Sequence, residues 1–257
     1  MSESMNQTVA SQLEHRTIRE FTDEPVSQEL FDQIMAVASQ TASSTGMQAC
    51  SIIRVTDPKI KTQLAQVCGQ DYVGRAKELL IFVVDQRRNA EILKEKGQVG
   101  ANAADMDKFF QGFTDACLMA QNVTTALEAL GLGAVYLGSI LNDVPKTVEI
   151  LNLPQYTFPV LGVGFGHPNQ EPQLKPRMPM DLRVFENTYE VFDGQYLEKL
   201  KDYDDEMTTY YDLRTSNQRS DSFTRQVSSK FADGGITLRK KMMKHIMAQG
   251  FDLKLND

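Results

Sequence analysis

Residues 105–130 (DMDKFFQGFTDACLMAQNVTTALEAL) place Phe109, Phe113, Ala116, Cys117, Ala120, Val123, Leu127 and Leu130 at spacings of three and four. That period predicts one long helix, with Phe110 and Met119 widening its apolar stripe. A helix this long and this apolar belongs at the centre of the fold or at a subunit interface. The next residues, 133–140 (GAVYLGSI), read as a strand. Toward the N-terminus, residues 79–85 (LLIFVVD) are apolar on both faces and predict a buried strand. Residues 51–56 (SIIRVT) are rich in β-branched side chains and predict another. Residues 27–40 (SQELFDQIMAVASQ) align Leu30, Ile34, Val37 and Ala38 on one helical face, with Ser27 as N-cap. Asp57-Pro58 opens a short helix through about Val67. Toward the C-terminus, residues 157–165 (TFPVLGVGF) predict a further strand. Residues 166–192 contain Pro168, Pro172, Pro176 and Pro179 and predict an extended excursion in place of a helix. Residues 195–212, 221–232 and 236–249 read as helices.

This order of elements gives an α/β or α+β domain. No strand is followed by GxGxxG or by a Walker-type glycine-lysine loop, so any nucleotide site must be built differently. An extended arm is suited to embracing a second copy, so a homodimer is expected. The chain has 257 residues, enough to bury a core without disulfide or metal staples. Its three cysteines, Cys50, Cys68 and Cys117, form no CxxC, and they are expected to be core thiols in a reducing compartment. The three histidines stand far apart, with no HExxH and no metal-ligand spacing, so no metal site is expected. The most apolar run, Leu79–Val84, is far shorter than the roughly 20 residues of a bilayer span. Residues 1–12 lack the basic and apolar regions of a secretory signal, so a soluble cytoplasmic protein is expected. Net charge is −7, a poor match for nucleic acid or anionic membrane. That total divides into −12 over residues 1–213 and +5 over residues 214–257.

Five clusters stand out. His15-Arg16-Thr17-Ile18-Arg19 sets two guanidinium forks beside a hydroxyl, a pattern suited to phosphate; a solvated basic turn is the alternative. Lys175-Pro176-Arg177 presents two cations on a stiff backbone, as a dianion clamp or as an exposed loop. Ser43-Ser44-Thr45-Gly46-Met47-Gln48 offers hydroxyls and backbone donors, or simply ends a helix. In residues 131–139 (GLGAVYLGS), glycines permit close approach of a flat ligand, and equally a helix cap and a strand bulge. Arg214, Arg219 and Arg225 form a basic linker that either binds a further phosphate or is merely solvated. There is no Ser/His/Asp triad and no paired-carboxylate site. His167 and His245 read as structural. Many phosphate-binding groups and few acid–base groups suit an enzyme whose cofactor carries the chemistry.

Together these residues resemble the nitroreductase superfamily, and within it the NADPH-dependent oxygen-insensitive nitroreductase and flavin reductase P group. The shared stretches are HRTIREFTDEPV (15–26), TASSTGMQACSIIRVTD (41–57), GQDYV (69–73), AQNVTTALEALGLGAVYLGSI (120–140), GHPNQEPQLKPRMP (166–179) and ENTY (186–189). They follow the family order over nearly the whole chain. The resemblance implies an α+β, three-layer fold: a central mixed, mainly antiparallel sheet flanked by helices. It implies a single domain over residues 1–257, with a dimer-embracing excursion at about 166–192 and a helical C-terminal part at about 195–257. It further implies an intertwined homodimer with two FMN molecules at the subunit interface.

By the same resemblance, His15, Arg16, Thr17 and Arg19 match the N-terminal FMN segment, Thr17 keeping the hydroxyl where serine is common. Lys175 and Arg177 match the pair that reaches the phosphate and ribityl end. Gln70 matches a side chain that hydrogen-bonds the flavin, and Ser43 and Ser44 match the loop beside the ring. Tyr136, Leu137, Gly138 and Ser139 match the strand end against the isoalloxazine; Ser139 stands where glycine is frequent. Gly46 stands where larger residues are common, which opens the substrate pocket. Arg214 and Arg219 match arginines that select NADPH through its 2′-phosphate. The implied activity is two-electron transfer from NADPH through FMN, by a ping-pong mechanism, to nitroaromatics, quinones or free flavin, with no residue as nucleophile. A dedicated NADPH:FMN reductase and a non-catalytic flavin-binding protein are the alternatives, and Arg214 and Arg219 argue against the second of these.

Overall fold

The computed structural model describes residues 6–98, 101–214, 221–232 and 238–252, with side chains for all of these except 101, 102 and 212–214. In chain order the elements are α1 (Gln7–Leu13), α2 (Gln28–Ser39), β1 (Cys50–Arg54), α3 (Pro58–Cys68), α4 (Tyr72–Arg75), β2 (Glu78–Asp85), α5 (Arg87–Glu95), α6 (Met106–Ala129), β3 (Gly133–Leu137), α7 (Val144–Ile150), β4 (Thr157–Gly166), α8 (Tyr196–Lys199), α9 (Lys201–Arg214), α10 (Phe223–Ala232) and α11 (Met242–Ala248). Short 3-10 turns lie at Ser44–Gly46, Ala101–Ala104, Gly138–Leu141, Met180–Leu182 and Leu238–Lys241.

Polar caps start the main helices. Ser27 Oγ accepts the Leu30 N–H at the head of α2. The Asp57 carboxylate accepts the Lys59 N–H, Pro58 occupies the first turn of α3, and Gly69 closes it at φ 63°. Asp105 caps α6 and Asp143 caps α7 in the same way. Each cap satisfies a donor that the helix leaves open, worth about 1 kcal/mol.

The chain divides into two compact units. The first comprises the described residues within Met1–Glu171 and Thr237–Asp257. Its sheet has the order β1-β2-β4-β3 and is antiparallel throughout. The parallel component expected of a mixed sheet is confined to bridges, of which Thr17 with Ala134 borders β3. β2 is buried on both faces, so helices cover both. α6 touches all four strands on one side. Gly112 of α6 faces Val84, while Gly164 on the other face of the sheet meets Ala76, the residue that closes α4. The result is the helix–sheet–helix arrangement that the resemblance implies. Phe109 sits at the middle of a ring cluster, with centroids at 5.4 Å from Phe158 and 5.0 Å from Phe251.

The second unit holds the described residues within Pro172–Ile236. Leu200, Tyr203, Met207 and Tyr211 form its small core, and the Tyr203 ring lies 5.4 Å from that of Phe223. The Asp204 carboxylate accepts the Thr224 N–H and hydroxyl, tying the start of α10 to α9. Residues 166–192 form no α-helix, as the prolines predict.

Five sequence expectations need correction. The strand at 133–140 stops at Leu137, because Gly138–Leu141 turns into a 3-10 helix; there the Ile140 carbonyl accepts the buried Thr147 hydroxyl. The helix at 195–212 is broken into α8 and α9, and that at 236–249 begins as a 3-10 turn at Leu238. Phe110 does not widen the buried stripe but is 59% exposed, since one residue beyond Phe109 an α-helix has rotated about 100°. Leu130, at the C-cap of α6, is likewise exposed. Helices α1 and α5, which bury no residue, and the short helices α4 and α7 are not among the elements expected from the sequence.

Candidate functional site

Residues 15–19 run alongside β3. The Ile18 N–H donates to the Ala134 carbonyl at 2.9 Å, and the Ile18 side chain is buried against Gly133. A Cβ on Gly133 would lie 2.7 Å from Ile18 Cβ, too close to a branched and rigid side chain for rotation to relieve. Gly133→Ala is therefore expected to push the whole 15–19 segment off the sheet, costing about 1–3 kcal/mol. Thermal melts of wild type and variant check this; an unchanged melt would show that the segment is not packed this way.

The polar heads of this segment are held selectively. His15 Nδ1 contacts the Glu128 carboxylate on α6. Arg16 Nη1 donates to the Glu14 carbonyl at 2.9 Å, whereas its Nε is buried with no hydrogen-bond partner among the described residues. Arg19 lies with its guanidinium 5.8 Å from the Tyr72 ring centroid and has no salt-bridge partner among the described residues. The N–H groups of Arg19 and Glu20 both donate to Gln170 Oε1, at 3.0 and 2.8 Å. A buried guanidinium nitrogen without an acceptor is costly unless something anionic meets it.

Gln70 and Ser139, 69 residues apart, are brought together: Ser139 Oγ donates to Gln70 Oε1 at 2.8 Å. This fixes the amide so that its nitrogen points away from Ser139. Between Tyr136 and Ser139, Leu137 is buried, while a Cβ on Gly138 would meet nothing within 4 Å, leaving open space over the backbone. The Tyr136 hydroxyl turns back onto α6, donating to Gln121 Oε1 at 3.1 Å or the Ala120 carbonyl at 3.3 Å. Burial pushes that phenol above its ordinary pKa, so it stays protonated at neutral pH.

Ser43 and Ser44 lie on a loop between α2 and β1 with an unusual backbone. Thr45 (φ 50°), Gly46 (φ 71°) and Gln48 (φ 49°) are all left-handed, which costs roughly 1–2 kcal/mol at each of the two non-glycine positions. The loop borders a cavity of about 300 Å³ lined in part by Ser43, Gly46, Gln48, Arg88 and Asp115. Asp115 and Arg88 were not singled out by sequence reasoning. The available signal was a lone carboxylate inside the apolar stripe of residues 105–130. Cys50 also lines this cavity, and burial pushes its thiol up to about 12; Cys68 and Cys117 are likewise raised by burial. Cys50 and Cys68 are buried thiols, as expected, whereas Cys117 is half-buried.

Lys175 and Arg177 belong to the second unit. Arg177 Nη1 donates to the Lys175 carbonyl at 3.0 Å, and Lys175 Nζ lies 6.0 Å from the Tyr211 ring. Neither cation has a salt-bridge partner among the described residues. Arg214 ends α9, but its side chain, together with all of Arg219, lies outside the described residues. His167 Nε2 stands 3.6 Å from Glu24, and His245 Nε2 is buried without a partner among the described residues. No group of three or more His, Cys, Asp or Glu that could hold a metal exists among the described residues, and no helix there is long and apolar enough to cross a membrane. The arrangement offers guanidinium forks for a phosphate, one oriented amide and open backbone for a flat ring.

The sequence profile of the nitroreductase family matches residues 13–167, and that of the nitroreductase family C-terminal domain matches residues 175–254. The chain is 38% identical over 229 residues to an NADPH-flavin oxidoreductase of Vibrio harveyi, covering 89% of this chain and 92% of that one. It is 38% identical over 221 residues to an oxygen-insensitive NADPH nitroreductase of Salmonella typhimurium, covering 86% and 89%. The solved structure of an NADPH:FMN oxidoreductase from Vibrio harveyi complexed with NAD+ superposes with a TM-score of 0.84 at 33% identity, covering 96% of this chain and 99% of that one.

Proposed function

The chain belongs to the nitroreductase family, and from that premise we propose that it is an FMN-dependent NADPH oxidoreductase that delivers two electrons to nitroaromatics, quinones or free flavin. The observation that carries this is the buried Arg16 Nε, which has no partner among the described residues and lies in the segment matched to FMN binding. It fits the flavin phosphate by charge and by donor geometry. When bound, FMN supplies the carrier that takes a hydride from NADPH and passes two electrons on.

The protein's part is to bind and orient. In the first unit His15, Arg16, Thr17 and Arg19 hold the phosphate and ribityl end, and the family resemblance assigns Lys175 and Arg177 of the second unit to the same cofactor. Gln70, oriented by Ser139, donates its amide N–H to the polar edge of the ring. Tyr136, Leu137 and Gly138 form the backbone wall, and Gly138 leaves the space that a ring needs. Ser43 and Ser44 border it with hydroxyls. Arg214 and Arg219 take the 2′-phosphate of NADPH. Tyr136 moves no proton, because its hydroxyl is committed to α6. These roles are positional and electrostatic.

The protein acts as a homodimer in the cytoplasm. Phe110 and Leu118 of α6 are exposed apolar side chains on the outer face of a helix whose other face is core, which suits a second copy. Sedimentation at micromolar concentration checks the dimer; a monomer there rejects it.

The purified protein is expected to be yellow and to release stoichiometric FMN on denaturation. Initial-rate plots against NADPH at several acceptor concentrations are expected to be parallel. A colourless protein that takes up no added FMN would sink the cofactor assignment, and intersecting plots would sink the shared site. A dedicated NADPH:FMN reductase is the second reading, favoured by the likeness to the Vibrio harveyi NADPH-flavin oxidoreductase. Comparing free FMN with nitrofurazone as acceptors separates the two.

A further inference from the structure

Asp115 is only 2% exposed and has no salt-bridge partner among the described residues. Both of its oxygens are nevertheless used. Oδ1 accepts the Ser44 N–H at 2.8 Å, and Oδ2 accepts the Ala49 N–H at 3.1 Å. One side chain on α6 thus grips the 43–49 loop at both ends. Gly112, one turn earlier, makes this possible: a Cβ there would lie 2.8 Å from the Ala49 carbonyl oxygen, so only glycine lets α6 come this close. Helix α5 holds the carbonyls. Arg88 donates to Gln48 O, and Asn89 donates to Met47 O at 3.3 Å. Between these anchors lie the three left-handed residues, a shape that the loop would not keep unaided.

We propose that Asp115 is a positioning residue for cofactor binding: together with Arg88 it preorganises the 43–49 loop so that Ser43 and Ser44 are already in place when FMN arrives. This rests on the FMN reading above. A buried carboxylate without a cation is a poor stabiliser, and an apolar residue would fill its place on α6 at less cost. What an apolar residue cannot do is accept two backbone N–H groups and fix the ends of a strained loop. Preorganisation of this kind strengthens binding because the ordering cost is met before the ligand arrives.

The test uses the full chain stripped of flavin and titrated with FMN, with binding read by flavin fluorescence and loop order by amide hydrogen exchange. Asp115→Asn keeps the size but turns an amide nitrogen toward one of the two N–H groups. It is expected to weaken FMN roughly 10-fold, and to speed exchange at Ser44 and Ala49. Gln249→Leu is the control. It removes a buried amide that donates to Pro154 and Thr157, far along the chain from the loop. It should lower the melting temperature and leave FMN affinity at the wild-type value. Arg88→Gln, on a half-exposed side chain, folds even if Asp115→Asn does not, and is expected to weaken FMN about 3-fold. Wild-type FMN affinity in both loop variants would overturn the proposal, and so would an equal loss in Gln249→Leu. Failure of the wild-type chain itself to bind FMN would instead overturn the cofactor reading, a result distinguishable at once from the other two.

Discussion

Phe109→Ala is expected to lower the free energy of unfolding by about 3–5 kcal/mol, the largest single loss that we anticipate. Phe109 is buried and lies within ring-contact distance of Phe110, Phe113, Phe158 and Phe251. Those contacts join α6 to β4 and to the segment after α11, so one ring ties elements that are distant in the chain. Truncation removes the transfer free energy of the ring and leaves a cavity among other rings that cannot collapse into it. Denaturant unfolding of the flavin-free protein measures the effect without cofactor linkage. A loss under about 1 kcal/mol would mean that α6 is not anchored through this cluster. Because α6 also carries Asp115 and Glu128, a large loss here should be accompanied by weaker FMN binding.

The second large effect concerns cofactor choice. Arg214→Ala and Arg219→Ala are each expected to lower kcat/KM for NADPH roughly 10- to 150-fold while leaving NADH nearly unchanged, since a hydrogen bond to a charged group is worth about 1.5–3 kcal/mol. NADPH and NADH differ only in the 2′-phosphate, so the ratio between them isolates that contact from any general damage to the fold. The effect should shrink as salt rises, because charges near the surface are screened. Equal losses with both nucleotides would reject 2′-phosphate recognition by these arginines. The same assay on Arg225→Ala is expected to show little change, since that residue matches no nucleotide-binding position.

Much of the fold was legible because its signals are local. Ser27 and Asp57 cap the helices that they announce. The strands at 78–85 and 157–166 follow from apolar runs of strand length. The reading erred at the C-terminal end of β3. Residues 138–140 look like strand, yet they enter a 3-10 turn in which the Ile140 carbonyl accepts the Thr147 hydroxyl. It was silent on α1, α4, α5 and α7, which run only four to nine residues and are too short for a helical period to stand out.

For the candidate site, the residue types and spacings disclosed the cations, the hydroxyl loop and the glycines. They could not disclose pairings across the chain. Nothing near Gln70 in sequence points to Ser139, and nothing near Ser44 points to Asp115. Local pattern by itself determined the main helices, the four strands and the presence of phosphate-seeking side chains, and the quoted motifs carried the family resemblance. These depend on residues a few positions apart, where backbone geometry alone fixes who meets whom. Only the tertiary structure decided that Arg16 keeps one buried nitrogen without an acceptor among the described residues, that Gly112 admits α6 to the loop, and that one buried carboxylate holds both loop ends. Such facts arise from burial and close approach between segments tens of residues apart, and these exist only once the chain has packed.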